Sequence, residues 1–357
     1  MLEKYLGKVV ERLNLSAEEA EAAMRAMMSG EAGEIQTAAF LTALRMKGET
    51  EEEIAAFARV MREMAVRINP KVEKSVDVCG TGGDATKTFN ISTTAAFVTA
   101  CVVPVAKHGN RSVTSKCGSA DVLEELGVNL NLPPRRIEEC IEKVGIGFMF
   151  APLHHRAMKN VVPVRRGLGL RTVFNILGPL TNPANATHQL VGVYDPALTE
   201  KVAKVLRILG LRKALVVHGE PGLDEVSVCG KTKVSQLEAE KGEITSYFIR
   251  PEDFGLQVAS PAEIAGGSRE ESARILQTVL SGSGTGSGTG SGTGTEAGEE
   301  EGGEEGARRA VVLLNAAAAI FAADEAGSLE EGFEVAREVL EEGRAAAKLK
   351  EFVEFSR

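Results

Sequence analysis

The stretch VDVCGTGGDATKTFNIST, from Val76 to Thr93, joins an apolar strand-like run to a helix-like run through a glycine-rich loop. A nucleotide-binding P-loop that used Lys87 would need glycines at positions 81 and 86, and both positions are threonine. The loop does not spell G-x-G-x-x-G either. What remains is a strand end, a backbone that a ligand can approach closely, and capping residues where a helix begins. This combination predicts an anion site, although an ordinary glycine-rich turn is the alternative.

A second polar loop follows the next apolar run, in VPVAKHGNRSVTSKCGSADVLEELG. Basic side chains lie there among hydroxyl and amide groups: Lys107, His108, Asn110, Arg111, Ser112, Thr114, Ser115 and Lys116. Ser119 is predicted to cap the helix that comes next. Two anion sites on two strand–loop–helix units favour a ligand that carries a phosphate at each end.

Two further segments carry candidate binding residues. VPVRRGLGLRTVFNILGPLTNPANA places three arginines in a predicted helical stretch: Arg165, Arg166 and Arg171. An arginine there can bind a carboxylate through two hydrogen bonds, although some of the three are expected to be merely solvated. In LVVHGEPGLDEVS, the adjacent Asp224 and Glu225 are candidate Mg²⁺ ligands beside a pyrophosphate, and the alternative is an ordinary surface pair.

Hydrophobic periodicity predicts two kinds of structure along the chain. From Leu2 to about Ile68 the pattern is helical, with an N-cap at Ser16 and a helix end at Gly30. After Pro70, strand-like runs (SVDVCG, VVPVAKHG, HQLVGVYD, KALVVHG and ITSYFI) alternate with helical runs (STTAAFVTAC, ADVLEELG and TEKVAKVLRILG). This alternation predicts a mainly parallel sheet with helices on its faces, in which ligands bind beyond the carboxyl ends of the strands.

Composition narrows the class of protein. The chain has 357 residues, enough for two domains, and 43% of them are hydrophobic. No apolar run reaches the ~20 residues that a membrane helix needs, and the N-terminus lacks a signal-peptide core, so we expect a cytoplasmic protein. The five widely spaced cysteines are expected to be reduced. A net charge of −9 argues against nucleic acid as a ligand.

The segment SGSGTGSGTGSGTGTEAGEEEGGEEGARR, Ser281 to Arg309, differs from the rest of the chain. It consists mainly of Gly, Ser, Thr and Glu, and it contains no large apolar residue that would hold it against a core. The composition predicts a flexible, exposed insertion over 281–309.

Taken together and in order, the four motifs CGTGGDATKTFNIST, AKHGNRSVTSKCGSADVLEELG, VRRGLGLRTVFNILGPLTNPA and VHGEPGLDEVS resemble those of the anthranilate phosphoribosyltransferase family. The N-terminal run AAFLTALRMKGETEEEI is similar to that family's helical domain, and only 281–309 lies outside the resemblance. Cys117 and Arg156 depart from the family pattern at positions that carry no ligand role. The long insertion is also not typical.

The resemblance implies an α/β fold of the nucleoside phosphorylase and phosphoribosyltransferase kind. A helical domain of residues 1–70, joined by about 163–184, would precede a larger α/β domain of residues 71–357. It further implies a homodimer through the helical parts, and transfer of phosphoribose from phosphoribosyl pyrophosphate to the amine of anthranilate in tryptophan biosynthesis.

The same resemblance implies a set of site residues. The phosphoribosyl pyrophosphate contacts would be Gly80, Gly83, Asp84, Thr88, Asn90, Ile91, Ser92, Thr93, Lys107, His108, Gly109, Asn110, Arg111, Ser112, Val113, Thr114, Ser115 and Ser119. The anthranilate contacts would be Gly80, Asn110 and Arg165, and the Mg²⁺ ligands Ser92, Asp224 and Glu225.

The residues agree with this chemistry, because the amine of anthranilate is neutral at pH 7 and needs no strong base. We find no Ser-His-Asp or Cys-His set and do not assign His108 as a base; positioning and electrostatics would carry catalysis.

A related pyrimidine-nucleoside phosphorylase is the nearest alternative, and KHGNR with GPLTNP argues against it. A nucleic-acid-binding relative would need a basic surface and no metal site, which the acidic balance and Asp224–Glu225 oppose.

Overall fold

The computed structural model describes residues 2–82, 87–112, 116–282 and 303–357. Its first part consists of the helices α1 (Leu2–Val10), α2 (Ala17–Ser29), α3 (Glu34–Lys47) and α4 (Glu51–Glu63). Helix α2 is bounded as predicted: Ser16 and Glu19 form a reciprocal capping box, and Gly30 ends the helix in the left-handed conformation. The predicted helical region to Ile68 is slightly too long. After Glu63 the backbone turns away to bond to the α/β part, with Ile68 N donating to the carbonyl of Pro183.

The rest of the chain supplies the remaining described elements. Its strands are β1 (Val76–Gly80), β2 (Val105–Gly109), β3 (Ile146–Phe150), β4 (His188–Gly192), β5 (Lys213–Gly219), β6 (Thr232–Glu238) and β7 (Glu243–Ile249). Its helices are α5 (Ile91–Thr99), α6 (Ser119–Glu125), α7 (Pro134–Val144), α8 (Ala151–His154), α9 (Val162–Leu168), α10 (Phe174–Leu177), α11 (Leu198–Ile208), α12 (Arg269–Leu280), α13 (Glu304–Ala322), α14 (Leu329–Glu341) and α15 (Arg344–Ser356). Short 3-10 turns cover Arg156–Asn160, Gly178–Leu180 and Pro251–Phe254.

The strands form one sheet in the order β3-β2-β1-β4-β5-β6-β7. The first five are parallel, and β6 and β7 add an antiparallel hairpin, so the prediction of a mainly parallel sheet is confirmed. Strands β3 and β6 were not predicted. The five-residue run of β3 is too short for periodicity to assign, and β6 buries polar residues such as Ser235, which is paired with Ser246 of β7 across 2.9 Å.

Both faces of the central strands are buried. Along β5, Leu215 and Val217 point into one apolar core, which contains α5 and α12 to α15, while Ala214 and Val216 point into another. The second core is continuous with the four N-terminal helices and with apolar residues between Val161 and Leu180. In the described part of the chain, no helix is long and apolar enough to cross a bilayer.

The predicted insertion 281–309 extends too far at its C-terminal end. Helix α13 begins at Glu304, so residues 304–309 are helical. Glu304 and Glu305 lie in the first turn, where negative charge is favoured, and Glu304 pairs with Arg308 at 3.1 Å. Most of the predicted flexible segment, residues 283–302, lies outside the described residues.

Candidate active site

Three neighbouring strands end in glycine: Gly80 in β1, Gly192 in β4 and Gly219 in β5. A Cβ atom on Gly192 would collide with the backbone carbonyl of Asp224, and one on Gly80 would collide with the Asp224 carboxylate. Glycine therefore allows the loop after β5 to lie directly against the ends of β1 and β4. The predicted acidic pair is thus held at the carboxyl edge of the sheet, where open α/β sheets bind ligands.

Both acids of this pair contact the first anion loop. Asp224 is buried, and its Oδ2 accepts a hydrogen bond from Gly82 N at 2.7 Å. Glu225 Oε1 accepts one from Ser92 N, in the first turn of α5, at 3.2 Å. A carboxylate of the protein itself therefore binds the Ser92 N–H at the positive end of the helix.

Lys107 joins the same group of residues from β2. Its side chain is buried, and Nζ donates to Val78 O at 2.6 Å and lies 3.4 Å from Ser92 Oγ. Burial lowers the pKa of Lys107, while the nearby carboxylates of Asp77 and Glu225 oppose that shift. The structure thus brings together Lys107, Ser92 and the acidic pair, which come from three separate motifs.

A buried polar network beneath this site was missed from the sequence. Asp77, in the middle of β1, is fully buried, and its carboxylate accepts from Gln189 Nε2 at 3.2 Å and from His108 N at 3.4 Å. Gln189 also donates to Pro179 O at 2.6 Å, which ties the segment after α10 to the sheet. Burial raises the pKa of Asp77. A charged residue within an apolar strand is the signal that would have found it.

The start of α5 differs from the predicted capping arrangement. Asn90 is the N-cap, but its side chain makes no capping bond, and its Nδ2 donates to Cys117 O at 3.2 Å. Within the described ranges, Asn90 Oδ1 and Thr93 Oγ1 are buried and have no hydrogen-bond partner. Ile91 is buried, so it can offer only its backbone to a ligand, and Thr88 pairs through its backbone with Ala265.

In the second loop, Arg111 is bound by the protein itself. Its guanidinium contacts Asp121 at 3.1 Å and Glu124 at 2.8 Å, and it lies 5.5 Å from the ring centre of Phe150. The sequence analysis predicted that Arg111 contacts phosphoribosyl pyrophosphate, and it did not identify these protein partners of Arg111. A ligand phosphate would compete with these carboxylates of α6 for it.

Asp121 holds the second loop in place. Its carboxylate accepts from Ser112 N at 3.0 Å, from Gly118 N at 2.9 Å and from Arg269 at 2.9 Å. The prediction that Ser119 is the N-cap is wrong by one residue, because α6 begins at Ser119 and Gly118 precedes it. Asp121 at the third helical position satisfies the Gly118 N–H instead.

The Ser119 hydroxyl has a different role from capping. Its Oγ donates to the carbonyl of Asn110 at 3.3 Å, and Asn110 Oδ1 accepts from Arg111 N at 2.8 Å. A side chain on Gly109 would collide with Ser119 Oγ, so the loop passes close to α6. These contacts fold the second loop back onto the helix that follows it.

The ring of His108 packs at a tilt against that of His155, a histidine that the sequence analysis did not single out. The ring centres of His108 and His155 lie 5.0 Å apart, and in the described part of the chain neither His108 Nε2 nor the ring nitrogens of His155 have a hydrogen-bond partner. Burial, reinforced by the neighbouring histidines, lowers the pKa of His108 well below its ordinary value, and burial lowers the pKa of His155 to about 4. Both rings are therefore neutral and weakly basic at pH 7.

Arg165 lies on α9. Its guanidinium is partly buried, which lowers its pKa, and its carbon lies 5.5 Å from the ring centre of Phe174. Arg165 has no ion pair or side-chain hydrogen bond among the described residues, and none joins it to Gly80 or Asn110. Arg166 is exposed. The prediction that Arg171 lies in a helix is wrong, because α9 ends before Gly169. The Arg171 guanidinium lies 4.1 Å from the ring centre of Tyr194.

Five predicted phosphoribosyl pyrophosphate contacts lie outside the described residues: Gly83, Asp84, Val113, Thr114 and Ser115. The described residues contain no cluster of three or more His, Cys, Asp or Glu side chains arranged to hold a metal. Asp224, Glu225 and the Ser92 hydroxyl are nevertheless all oxygen donors, which suits Mg²⁺, an ion that keeps several of its waters and needs few protein ligands.

Two family models match the chain. The glycosyl transferase family helical bundle domain matches residues 3–65, and the glycosyl transferase family a/b domain matches residues 72–346. Together they agree with the observed helical part followed by a larger α/β part.

Relatives of known identity match along the whole chain. The anthranilate phosphoribosyltransferase of Symbiobacterium thermophilum is 52% identical over 99% of this chain and 98% of its own. The crystal structure of the Thermus thermophilus enzyme superposes with a TM-score of 0.87 at 42% identity, covering 99% of both chains. The Saccharomyces cerevisiae enzyme, solved in complex with PRPP and Mg, has a TM-score of 0.86 at 27% identity and covers 99% of this chain and 97% of its own. The chain therefore belongs to the anthranilate phosphoribosyltransferase family of glycosyltransferases.

Proposed function

We propose that this protein transfers the phosphoribosyl group of phosphoribosyl pyrophosphate to the amine of anthranilate, releasing pyrophosphate, in tryptophan biosynthesis. The observation that carries the proposal is the meeting of the acidic pair Asp224–Glu225 with the glycine loop after β1 and the first turn of α5. Two carboxylates beside an anion site would repel a pyrophosphate unless a cation lies between them. The site therefore suits a metal-bound pyrophosphate better than a bare anion.

Mg²⁺ is the proposed cation, with Asp224, Glu225 and Ser92 as its protein ligands. When bound there, it would neutralise negative charge that builds on the departing pyrophosphate. The support is the oxygen donor set of this chain and the yeast relative that was solved in complex with PRPP and Mg. The protein itself orients both carboxylates, because Asp224 accepts a hydrogen bond from Gly82 N and Glu225 accepts one from Ser92 N.

The two polar loops are the proposed binding sites for the two ends of phosphoribosyl pyrophosphate. Lys107 is buried beside Ser92, so its ammonium group is positioned to attract a phosphate in a region that excludes water. The assignment covers the full set predicted from the resemblance, including the five residues outside the described ranges.

Arg165 is the proposed anchor for the carboxylate of anthranilate. The Arg165 guanidinium loses part of its hydration and gains no carboxylate partner among the residues that the structure describes, which favours an anionic ligand. The yeast relative has also been solved in complex with 4-fluoroanthranilate. Gly80 and Asn110 complete the proposed set, on the loops where the two substrates would meet.

The chemistry requires little proton transfer from the protein. The amine of anthranilate attacks C1 of the ribose as the bond from C1 to the pyrophosphate oxygen breaks. Positive charge develops on the ribose, and negative charge develops on the leaving group. Lys107 would stabilise the negative charge on the leaving group, while the lowered pKa values of His108 and His155 keep both rings neutral at pH 7.

A direct assay tests the proposal. The purified protein is mixed with anthranilate, phosphoribosyl pyrophosphate and Mg²⁺, and the loss of anthranilate fluorescence is followed. We expect a loss that depends on all three components. Fluorescence that stays constant with every component present would contradict the proposed function, and phosphorolysis of a pyrimidine nucleoside by the same sample would support the alternative instead.

We also propose the domain division drawn from the resemblance, in a cytoplasmic homodimer. The apolar residues between Val161 and Leu180 pack with the N-terminal helices, which supports joining residues 163–184 to the helical domain of residues 1–70.

Large apolar side chains are exposed on α1, on α3 and in the turn that follows α1: Val10, Leu13, Ile35 and Met46. Their position supports a dimer through the helical domain, and light scattering of wild type and Ile35→Asp tests it, since the variant should dissociate.

A further inference from the structure

The polar residue in the apolar helix α13 has no part in the function described so far. Asn315 lies in the run AVVLLNAAAAIFAA, Ala310 to Ala323, where every other residue is apolar. Its side chain is fully buried. A buried amide is costly unless its hydrogen-bonding groups are satisfied, so a specific partner is expected for it.

That partner is the backbone next to the acidic pair. Val226 N donates to Asn315 Oδ1 at 2.9 Å, and Asn315 Nδ2 donates to Val226 O at 2.8 Å. Nδ2 also donates to Val311 O, one turn earlier in α13, at 2.8 Å. The amide thus pairs with both backbone groups of Val226 as a neighbouring strand would, and this pairing fixes which way the amide is turned.

Val226 directly follows Glu225, so the hydrogen bond to Val226 N constrains the peptide unit that joins Val226 to Glu225. The loop is held further on as well, since Ser227 N donates to Thr232 Oγ1 at 2.9 Å. Helix α13 also packs against α5, which carries Ser92. Asn315 therefore connects the loop of the acidic pair to the same helical layer that presents the proposed third metal ligand.

We infer that Asn315 is a positioning residue for the metal-binding acids: it fixes the backbone at Val226 so that Asp224 and Glu225 face the pyrophosphate site. This inference rests on the proposed function. Asn315 is fully buried and bonds to the loop at Val226, so its effect is exerted through the loop.

The experiment compares Asn315→Ala with Ile320→Ala, a truncation of another fully buried residue of α13 that makes no hydrogen bond to the loop. One measurement is the Mg²⁺ concentration that gives half-maximal activity. A second needs no turnover: the rise in melting temperature when Mg²⁺ and phosphoribosyl pyrophosphate are added without anthranilate. Asn315→Ser is the milder variant, because its hydroxyl can bond to Val311 O but is too short to reach Val226.

We expect Asn315→Ala and Asn315→Ser to raise the half-maximal Mg²⁺ concentration by about tenfold or more, the effect of losing buried hydrogen bonds. The ligand-induced rise in melting temperature should shrink in parallel, while KM for anthranilate stays near the wild-type value. Ile320→Ala should lower the melting temperature and leave the Mg²⁺ dependence unchanged. This pattern would separate positioning of the acids from a general loss of stability.

Two results would overturn the inference: a wild-type Mg²⁺ dependence in the Asn315 variants, or failure of both variants to fold while Ile320→Ala folds. The wild-type protein distinguishes these failures from a failure of the proposed function. If wild type consumes anthranilate with Mg²⁺ and the Asn315 variants match it, only the inference falls. If wild type does not consume anthranilate, the proposed function falls as well.

Discussion

Glu225 Oε1 lies 3.2 Å from Ser92 N, so the loop after β5 and the helix after β1 are joined by a carboxylate at the positive end of α5. The neighbouring Asp224 makes the equivalent contact with Gly82 N at 2.7 Å. A bound pyrophosphate would compete with both carboxylates for these N–H groups. A cation that binds the two carboxylates would remove this competition and the charge repulsion together.

The first prediction concerns this acidic pair. Asp224→Asn combined with Glu225→Gln should weaken the dependence on Mg²⁺ and lower activity, because amide oxygens are poorer ligands for Mg²⁺ than carboxylates. The fold should survive, since the amide oxygens can still accept hydrogen bonds from Gly82 N and Ser92 N. Activity is titrated against Mg²⁺ in wild type and variant.

The matched control for the acidic pair is Glu51→Gln with Glu52→Gln, which changes the same number of adjacent carboxylates in the first turn of α4. The control should titrate as wild type does. Superimposable Mg²⁺ titrations of wild type and the Asp224/Glu225 variant would show that these acids do not bind the metal.

The second prediction concerns Arg165. Arg165→Ala should raise KM for anthranilate far more than KM for phosphoribosyl pyrophosphate, because one charged hydrogen-bonded pair contributes roughly 1.5–3 kcal/mol. Steady-state kinetics with each substrate varied in turn measures the two effects. Equal increases in both KM values would indicate a general electrostatic or folding role.

Arg166 provides the control for Arg165, since it is the next residue on the same helix and is exposed. Arg166→Ala should leave both KM values nearly unchanged. If Arg166→Ala raises KM for anthranilate while Arg165→Ala does not, the carboxylate anchor is Arg166.

The third prediction concerns the low-complexity segment. Replacing residues 283–302 with a short Gly-Ser linker should leave the melting temperature and kcat nearly unchanged, because the segment has no large apolar side chain to bury. Extending the deletion through Arg309 should destabilise the protein, since it removes buried Ala307 and the first turns of α13. A large loss of kcat with the shorter deletion would assign the segment a role in turnover.

The fourth prediction concerns acid stability and Asp121. Burial acts to raise the pKa of Asp121, but hydrogen bonds from Ser112 N, Gly118 N and two arginines outweigh it, so the pKa is lowered. The contribution of such a group to stability is complete above the unfolded aspartate pKa of ~3.9 and is lost as the pH falls through the lower folded value. Between about pH 5 and pH 2.5, the melting temperature of wild type should therefore fall more steeply than that of Asp121→Asn.

Glu139→Gln is the control for Asp121→Asn, because it removes a carboxylate from an ion pair on the surface of α7. Its melting temperature should follow the wild-type dependence on pH, since exposed ion pairs contribute little. Parallel curves for wild type and Asp121→Asn would show that the Asp121 contacts do not stabilise the second loop.

Local sequence patterns were sufficient to predict the segments whose structure depends mainly on neighbouring residues. The capping box at Ser16, the ends of α2 and the alternation of buried strands and helices follow from periodicity and capping, which act over a few residues. The acidic pair was also correctly placed after a strand and a glycine-containing loop. The errors at helix boundaries are local ones: at Ser119, Asp121 three residues after Gly118 satisfies the N–H of Gly118, and at Arg171 the helix has already ended at the left-handed Gly169.

By itself, the sequence determined the family, the mainly parallel α/β fold and the motifs that carry the candidate site, because glycine loops, caps and apolar periodicity are encoded in neighbouring residues. Only the tertiary structure decided which polar groups meet. It paired Arg111 with Glu124, placed Glu225 on Ser92 N, and buried Asp77 and Asn315 against Gln189 and Val226. Such pairs join residues that are separated in the chain, so local patterns do not reveal them. The pairs of Asp77 and Asn315 form because a polar group that packing removes from water must find a partner within the protein.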